Sequence, residues 1–324
     1  MRALVLDQGW HFVEDYPTPE PPPGEARIRV SMAGICNTDL ELARGYMQFH
    51  GVAGHEFVGV VDRAPGAERW EGWRVVGDIN AACGVCTTCR AGRPTHCPHR
   101  TTLGMSGRDG AFAEYLTLPI RNLYAVPDTL PDEVAVFTEP LAAAGEILEQ
   151  VHIRPTDRVI VLGDGKLGLL CAQVLALTGC DLTVIGHHAD KLSLLAGMGM
   201  ATLLVPRGTT PEPAEIKGPA DVVVEATGQP EGYAMACAWV RPRGTLVLKS
   251  TYHGTMETNP SRAVVDEVTL VGSRCGPFAP ALRLLERGLI HVSALIQARY
   301  PFTEILTALR CAGQSGALKV LVKM

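Results

Sequence analysis

Val159-Ile160-Val161-Leu162-Gly163-Asp164-Gly165-Lys166-Leu167-Gly168 is a short β-branched apolar run that breaks directly into three spaced glycines. A mostly apolar stretch follows over 167–177, with Gln173 its one polar side chain. A lone G-x-G-x-x-G says little, but a strand before it and a helix after it give it meaning. The first glycine permits a tight turn, the second lets backbone approach a pyrophosphate, and the third lets helix pack on strand. The helix N-terminus then faces the phosphates. Gly163, Asp164, Gly165, Lys166, Leu167 and Gly168 are therefore candidate dinucleotide-binding residues.

Beyond this segment, 182–185 reads as a second strand and 191–196 as a helix, and buried-strand patterns recur at 221–225, 245–248 and 268–272. Strand alternating with helix predicts an α/β, doubly wound parallel sheet, which six strands would complete. Ala226-Thr227-Gly228 and Leu248-Lys249-Ser250-Thr251 stand at the ends of the 221–225 and 245–248 strands. Ligands gather at such strand ends, which adds Ala226, Thr227 and Ser250 to the cofactor-binding candidates.

The residues before Thr138 have another texture: short Val-, Gly- and Pro-rich runs at 26–32, 57–61 and 74–76 read as a mostly β region. After Gly276 come a helix pattern over 279–287 and strand patterns at 299–302 and 317–322, which complete that first domain from the C-terminus. The expected organisation is a discontinuous β-rich domain, 1–137 with 276–324, carrying a lobe at 80–100, and an inserted dinucleotide-binding domain at 138–275. At 324 residues the chain has room for two such cores.

Composition narrows the function. The chain is 47% hydrophobic and 19% charged, with a formal net charge of -5 and no long Lys/Arg run, so no electrostatic footprint for nucleic acid is present. The opening apolar run stops at Asp7 and Gln8, too short for a signal peptide. The 167–177 stretch falls short of the ~20 residues a membrane span requires. No membrane association and a cytoplasmic location are expected. In that reducing compartment ten cysteines read as metal ligands and buried small residues rather than disulfides.

Cys83, Cys86, Cys89 and Cys97 follow the spacing C-x2-C-x2-C-x7-C, with Gly84, Gly92 and Pro94 supplying turns. Four thiolates suit a closed tetrahedral zinc site that staples a loop and has no open position for chemistry. His96 and His99 are read as surface residues. Separately, Cys36 and, nineteen positions on, His55-Glu56 fall in the same β region. A catalytic zinc needs three protein ligands and one open position. Each fragment is weak alone, but with the cysteine lobe downstream the set points to a catalytic metal.

Cys36-x-Thr38-Asp39, Gly54-His55-Glu56-x2-Gly59, the four-cysteine lobe, Thr138-Glu139-Pro140-Leu141 and the glycine fingerprint occur in one order. That order resembles the zinc-containing medium-chain dehydrogenases/reductases along essentially the whole chain. The polyol, sugar and threonine dehydrogenase branch is the most similar, because an acid stands in the Glu-Pro-Leu segment. The resemblance implies a Rossmann sheet inserted in a GroES-like catalytic domain, with the active site in the cleft between them. It implies two zinc ions per subunit, one structural and one catalytic, the latter on Cys36 and His55 with Glu56 or Glu139 as third ligand. Glu139 also reads as a first-turn helix acid after a Thr138 cap.

In such enzymes zinc lowers the pKa of an alcohol and a hydroxyl gives the proton an exit. Thr38 resembles that hydroxyl, and Asp39 the carboxylate that orients a metal-bound histidine, although it reads equally as a surface acid. Many relatives carry a relay histidine five residues after the cysteine; here Glu41 stands, a candidate in the proton path. No carboxylate follows the second strand, where Gly186-His187-His188 stand instead. This resembles the NADP-linked members, so NADP is favoured over NAD, with His187, His188 and Lys191 meeting the 2′-phosphate. Arg274 and Lys319 resemble family positions near cofactor phosphate or ribose.

The expected activity is hydride transfer between nicotinamide and a primary or secondary alcohol, a polyol, sugar or hydroxy compound, by a homodimer or homotetramer. Two rival readings are a non-catalytic zinc-binding structural or regulatory protein and a zinc-free quinone or enone reductase on the same fold.

Overall fold

The computed structural model describes residues 1–209, 216, 218–251 and 260–324. It divides into two units, Met1–Glu139 with Phe278–Met324, and Pro140–Pro277. In the second unit Arg158–Leu162 is a central strand of a six-stranded, all-parallel sheet. The spatial order is Ala201–Leu204, Asp181–Gly186, Arg158–Leu162, Ala220–Glu225, Val240–Leu248 and Thr269–Gly272. Strands covered on both faces read as unbroken apolar runs, which is why Val159, Ile160 and Val161 are wholly buried. Ile160, Leu162, Ile185, Val223, Trp239 and Leu246 form one core of this unit. Each such side chain contributes about 1.5–3 kcal/mol by leaving water.

Chain order reverses between Arg158–Leu162 and Ala220–Glu225, and a doubly wound sheet opens its ligand crevice at such a reversal. The Gly163 turn and the loop beginning at Ala226 leave the sheet there side by side. One strand escapes sequence reasoning. Ala201–Leu204 is a short edge strand with Ala201 and Leu204 exposed, so it lacks the apolar run that marks its neighbours.

In the first unit the eleven-residue strand Glu25–Ile35 organises the main sheet. Tyr115–Pro119 pairs along its first half. Glu56–Arg63 pairs antiparallel along most of its length, with Gly34 opposite Glu56, and Lys319–Lys323 pairs antiparallel with its second half, with Ile35 opposite Val320. Cys36, Glu56 and Lys319 are thereby set at one end of three adjacent strands. Gly34 is obligatory in this arrangement, since a Cβ there would lie 2.3 Å from Glu56 Oε2.

The boundaries between the units fall two residues later than expected, at 139/140 and 277/278 rather than 137/138 and 275/276. Helix Thr138–Gln150 begins in the first unit, so the division falls within its first turn and leaves Glu139 with the metal residues. Gly276 stays with the second unit because its backbone presses on that helix, a Cβ there falling 2.0 Å from Ala142 O. Among the described residues no helix is long and apolar enough to cross a membrane.

Candidate active site

Cys36 follows the last residue of Glu25–Ile35 and precedes the helix Asn37–Ala43. Asp39, in the first turn of that helix, is fully buried and does two things at once. Its Oδ2 accepts the Cys36 backbone N–H at 2.8 Å, and its Oδ1 lies 3.2 Å from His55 Nδ1. Engaging Nδ1 leaves Nε2 for a metal. One ligand atom from each of Cys36, His55 and Glu56 falls within 4.8 Å of the others. Burial disfavours a charged His55, yet Asp39 and Cys36 hold its pKa well above the ordinary imidazole value. A pocket that concentrates negative charge on a buried imidazole suits a cation, and its sulfur, nitrogen and carboxylate donors suit zinc.

The two glutamates differ. Both Glu56 oxygens accept from Lys319 Nζ, at 2.6 and 2.5 Å, and neither side chain reaches solvent appreciably. Lys319, expected near the cofactor, is instead a buried counter-ion of Glu56, brought there by the pairing of the last strand. Glu139 is half-buried at the start of Thr138–Gln150. Burial pushes its carboxyl up to about 7, with His55 and Lys319 pulling down and Glu56 pushing up. Thr38 is half-exposed, its Oγ1 3.7 Å from Cys36 Sγ. Glu41, expected in the proton path, has its Oε1 2.5 Å from Arg44 Nη1, so that oxygen is engaged in an ion pair one turn along the helix.

In the lobe the sulfurs of Cys83, Cys86, Cys89 and Cys97 lie 3.5–3.9 Å apart in four measured pairs. Zinc–sulfur bonds of about 2.3 Å in a tetrahedron require edges of about 3.8 Å. Backbone N–H groups of Val85 and Cys86 draw Cys83 down to about 6, while burial and Cys86 push Cys89 up to about 12. A dication removes that conflict by holding all four as thiolates. His96 and His99 are exposed and stand outside the four-sulfur group.

The glycine turn in the second unit has three different constraints. Gly163 sits at φ 111°, and a Cβ there would meet Ala226 O at 2.5 Å. A Cβ on Gly168 would meet Gly163 O at 2.0 Å, so that glycine lets the helix pack. Gly165, by contrast, precedes the helix Lys166–Ala176 and has nothing within 4 Å of its would-be Cβ. That open face at a helix N-terminus fits a pyrophosphate.

Asp164 departs from expectation. Its carboxylate turns away to the end of Asp181–Gly186, where Oδ2 accepts the N–H groups of His187 and His188 at 2.7 Å each. The His188 ring adds a contact at 2.9 Å. A carboxylate does therefore occupy the end of the second strand, delivered by the glycine turn rather than by the strand. Burial opposes its charge, but His188 holds the carboxyl below its ordinary value. Gly186 leaves room for it, since a Cβ there would lie 2.4 Å from Asp164 Oδ2. His187 Nδ1 is 2.6 Å from Val205 O, and His188 Nε2 is 3.3 Å from Arg207 Nη2. Lys191 Nζ lies 3.5 Å from His188 Nδ1. Arg207 escapes sequence reasoning because the edge strand that delivers it does. The hydroxyls of Thr227 and Ser250 both turn onto Glu225. Arg274 is exposed, its carbonyl accepting from the buried Lys249.

Residues 22–128 match the family described as Alcohol dehydrogenase GroES-like domain, and residues 167–287 match Zinc-binding dehydrogenase. The chain is 28% identical to sorbitol dehydrogenase of Halalkalibacterium halodurans, over 99% of each chain. Among solved structures it resembles a short chain alcohol dehydrogenase (rspB) from E. coli CFT073 complexed with NADH. The TM-score is 0.90 and the identity 27%, with 100% of this chain and 99% of that one covered. A putative zinc-binding dehydrogenase from Sinorhizobium meliloti bound to NADP gives a TM-score of 0.87 at 28% identity, with the same coverage. The chain belongs to the zinc-binding dehydrogenases, the medium-chain alcohol dehydrogenases that join a GroES-like domain to a Rossmann-type parallel sheet.

Proposed function

We propose that this dehydrogenase exchanges a hydride between a polyol, sugar alcohol or related hydroxy compound and NADP, using one catalytic and one structural zinc. The convergence of Cys36, His55 and Glu56 within 4.8 Å, with Asp39 behind the histidine, carries the reading. Cys36 and His55 hold the catalytic zinc. Glu139 is the third ligand, because both oxygens of Glu56 are committed to Lys319, whereas a cation would offset the burial and the Glu56 charge that hold the Glu139 carboxyl up. The bound zinc supplies Lewis acidity that lowers the pKa of an alcohol. Thr38 accepts the hydroxyl proton and passes it to solvent, which its half-exposed position beside Cys36 allows. Cys83, Cys86, Cys89 and Cys97 hold the structural ion.

Gly163, Gly165 and Gly168 cradle the pyrophosphate. His188, Lys191 and Arg207 present cationic or hydrogen-bonding groups for a 2′-phosphate, with Asp164 orienting His188. Thr269–Gly272, an edge strand of the sheet among the described residues, with Leu270 exposed, supports assembly as a homodimer or homotetramer. Ten cysteines, none of them joined in a disulfide, support a reducing, cytoplasmic site of action.

A panel of polyols, sugar acids and secondary alcohols assayed by absorbance with NAD and with NADP tests this reading. Activity abolished by chelation and a lower KM for NADP are expected; activity that survives chelation would favour the enone reductase. Replacing Thr38 with valine should lower kcat by about 10²–10⁴ with zinc content unchanged. Glu139→Ala should lower catalysis or zinc retention more than Glu41→Ala. Near-parental activity in both would remove Glu139 from the site.

A further inference from the structure

Glu225 is a buried carboxylate that the proposed chemistry does not use. It ends the strand Ala220–Glu225, beside the point where chain order reverses, and is 3% exposed. Three donors converge on its Oε1: the Thr227 backbone N–H at 2.8 Å, the Thr227 hydroxyl at 2.6 Å and the Ser250 hydroxyl at 2.8 Å. Ser250 Oγ in turn accepts the Gly228 N–H at 2.8 Å. One carboxylate oxygen thus ties the loop after the fourth strand to the loop after the fifth. The chain leaves space for the knot, since a Cβ on Gly232 would lie 2.6 Å from Glu225 Oε1 and 2.2 Å from Thr227 Oγ1.

The tied loops stand against the phosphate turn. Ala226 N–H donates to Leu162 O at 2.9 Å, and the would-be Cβ of Gly163 falls 3.0 Å from Thr227 N. In a sheet built of two mononucleotide-binding halves, one half takes the adenosine and the other the second nucleoside. The His187–His188 turn marks the first half here, so the loops at 226–229 and 249–251 belong to the second. Isolated hydroxyls on strand-end loops would be mobile, and charge-assisted hydrogen bonds to a buried carboxylate are about twice as strong as neutral ones.

We infer that Glu225 is a positioning residue for the nicotinamide half of the dinucleotide, holding the 226–229 and 249–251 loops as one surface. The inference rests on the dehydrogenase reading. Thr227 and Ser250, expected from sequence among the cofactor-binding residues, then act by shaping that surface with their backbones.

Binding titrations of reduced dinucleotide and of the matching ADP-ribose, with or without its 2′-phosphate, separate the two halves. Glu225→Ala should weaken NAD(P)H by about tenfold, while ADP-ribose binding changes less than about twofold. Glu225→Gln keeps an acceptor for both hydroxyls and should return NAD(P)H affinity to within about threefold of the parent. Ser250→Ala, a milder change, should show the same selectivity for the full dinucleotide if Glu225→Ala does not fold. Equal weakening of both ligands, or of neither, overturns the inference and leaves the dehydrogenase reading standing. Failure of the parent to bind any dinucleotide overturns both.

Discussion

Cys36→Ala is expected to lower kcat/KM by about 10³–10⁵, roughly 4–7 kcal/mol of transition-state stabilisation, because the metal pocket loses a sulfur ligand. Cys36 stands where the Glu25–Ile35 strand meets the Asn37–Ala43 helix, and among the described residues no other thiol joins His55 and Glu56 there. Zinc analysis should show one equivalent lost and one retained, the retained ion belonging to the lobe of Cys83, Cys86, Cys89 and Cys97. The helix start should survive, since the Cys36 N–H keeps its bond to the Asp39 carboxylate when the sulfur is removed. A variant with parental activity, or one that loses both ions together, would contradict separate catalytic and structural sites.

Lys319→Met is expected to destabilise the first unit by about 3–5 kcal/mol, the usual cost of leaving a buried charge without its partner. Glu56 is wholly buried, and its two oxygens both accept from Lys319 Nζ. The methionine fills much of the lost volume, so the effect reports charge rather than a cavity. Adding Glu56→Gln should recover most of the loss, because removing both charges of a buried pair is often nearly neutral. Denaturant midpoints for the parent, both single variants and the double variant measure the coupling. A Lys319→Met chain as stable as the parent would mean that another group compensates Glu56.

Lys319 also shows where sequence reading reaches its limit. Its likeness to a family position implies cofactor phosphate or ribose, whereas 263 residues of separation from Glu56 hide the contact that it makes. Register decides it: Lys319–Lys323 enters the sheet beside Glu25–Ile35, which also pairs with Glu56–Arg63. Asp164 is legible as a member of a glycine turn but not as the carboxylate beneath His188, because only the parallel pairing of Arg158–Leu162 with Asp181–Gly186 brings those strand ends together. Arg207 follows an edge strand too short and too exposed to show an apolar pattern.

Whatever neighbours along the chain impose can be read from the residues directly. The strand-glycine-helix unit at 158–176, the parallel α/β class, the four-cysteine lobe and the Cys36 to Asp39 turn all depend on backbone geometry and local spacing. Which partner each buried carboxylate takes emerges only on folding: Lys319 for Glu56, His188 for Asp164, and the hydroxyls of Thr227 and Ser250 for Glu225. A buried carboxylate must find a donor, but its identity is set by strand order and register, which bring together residues that no local pattern connects.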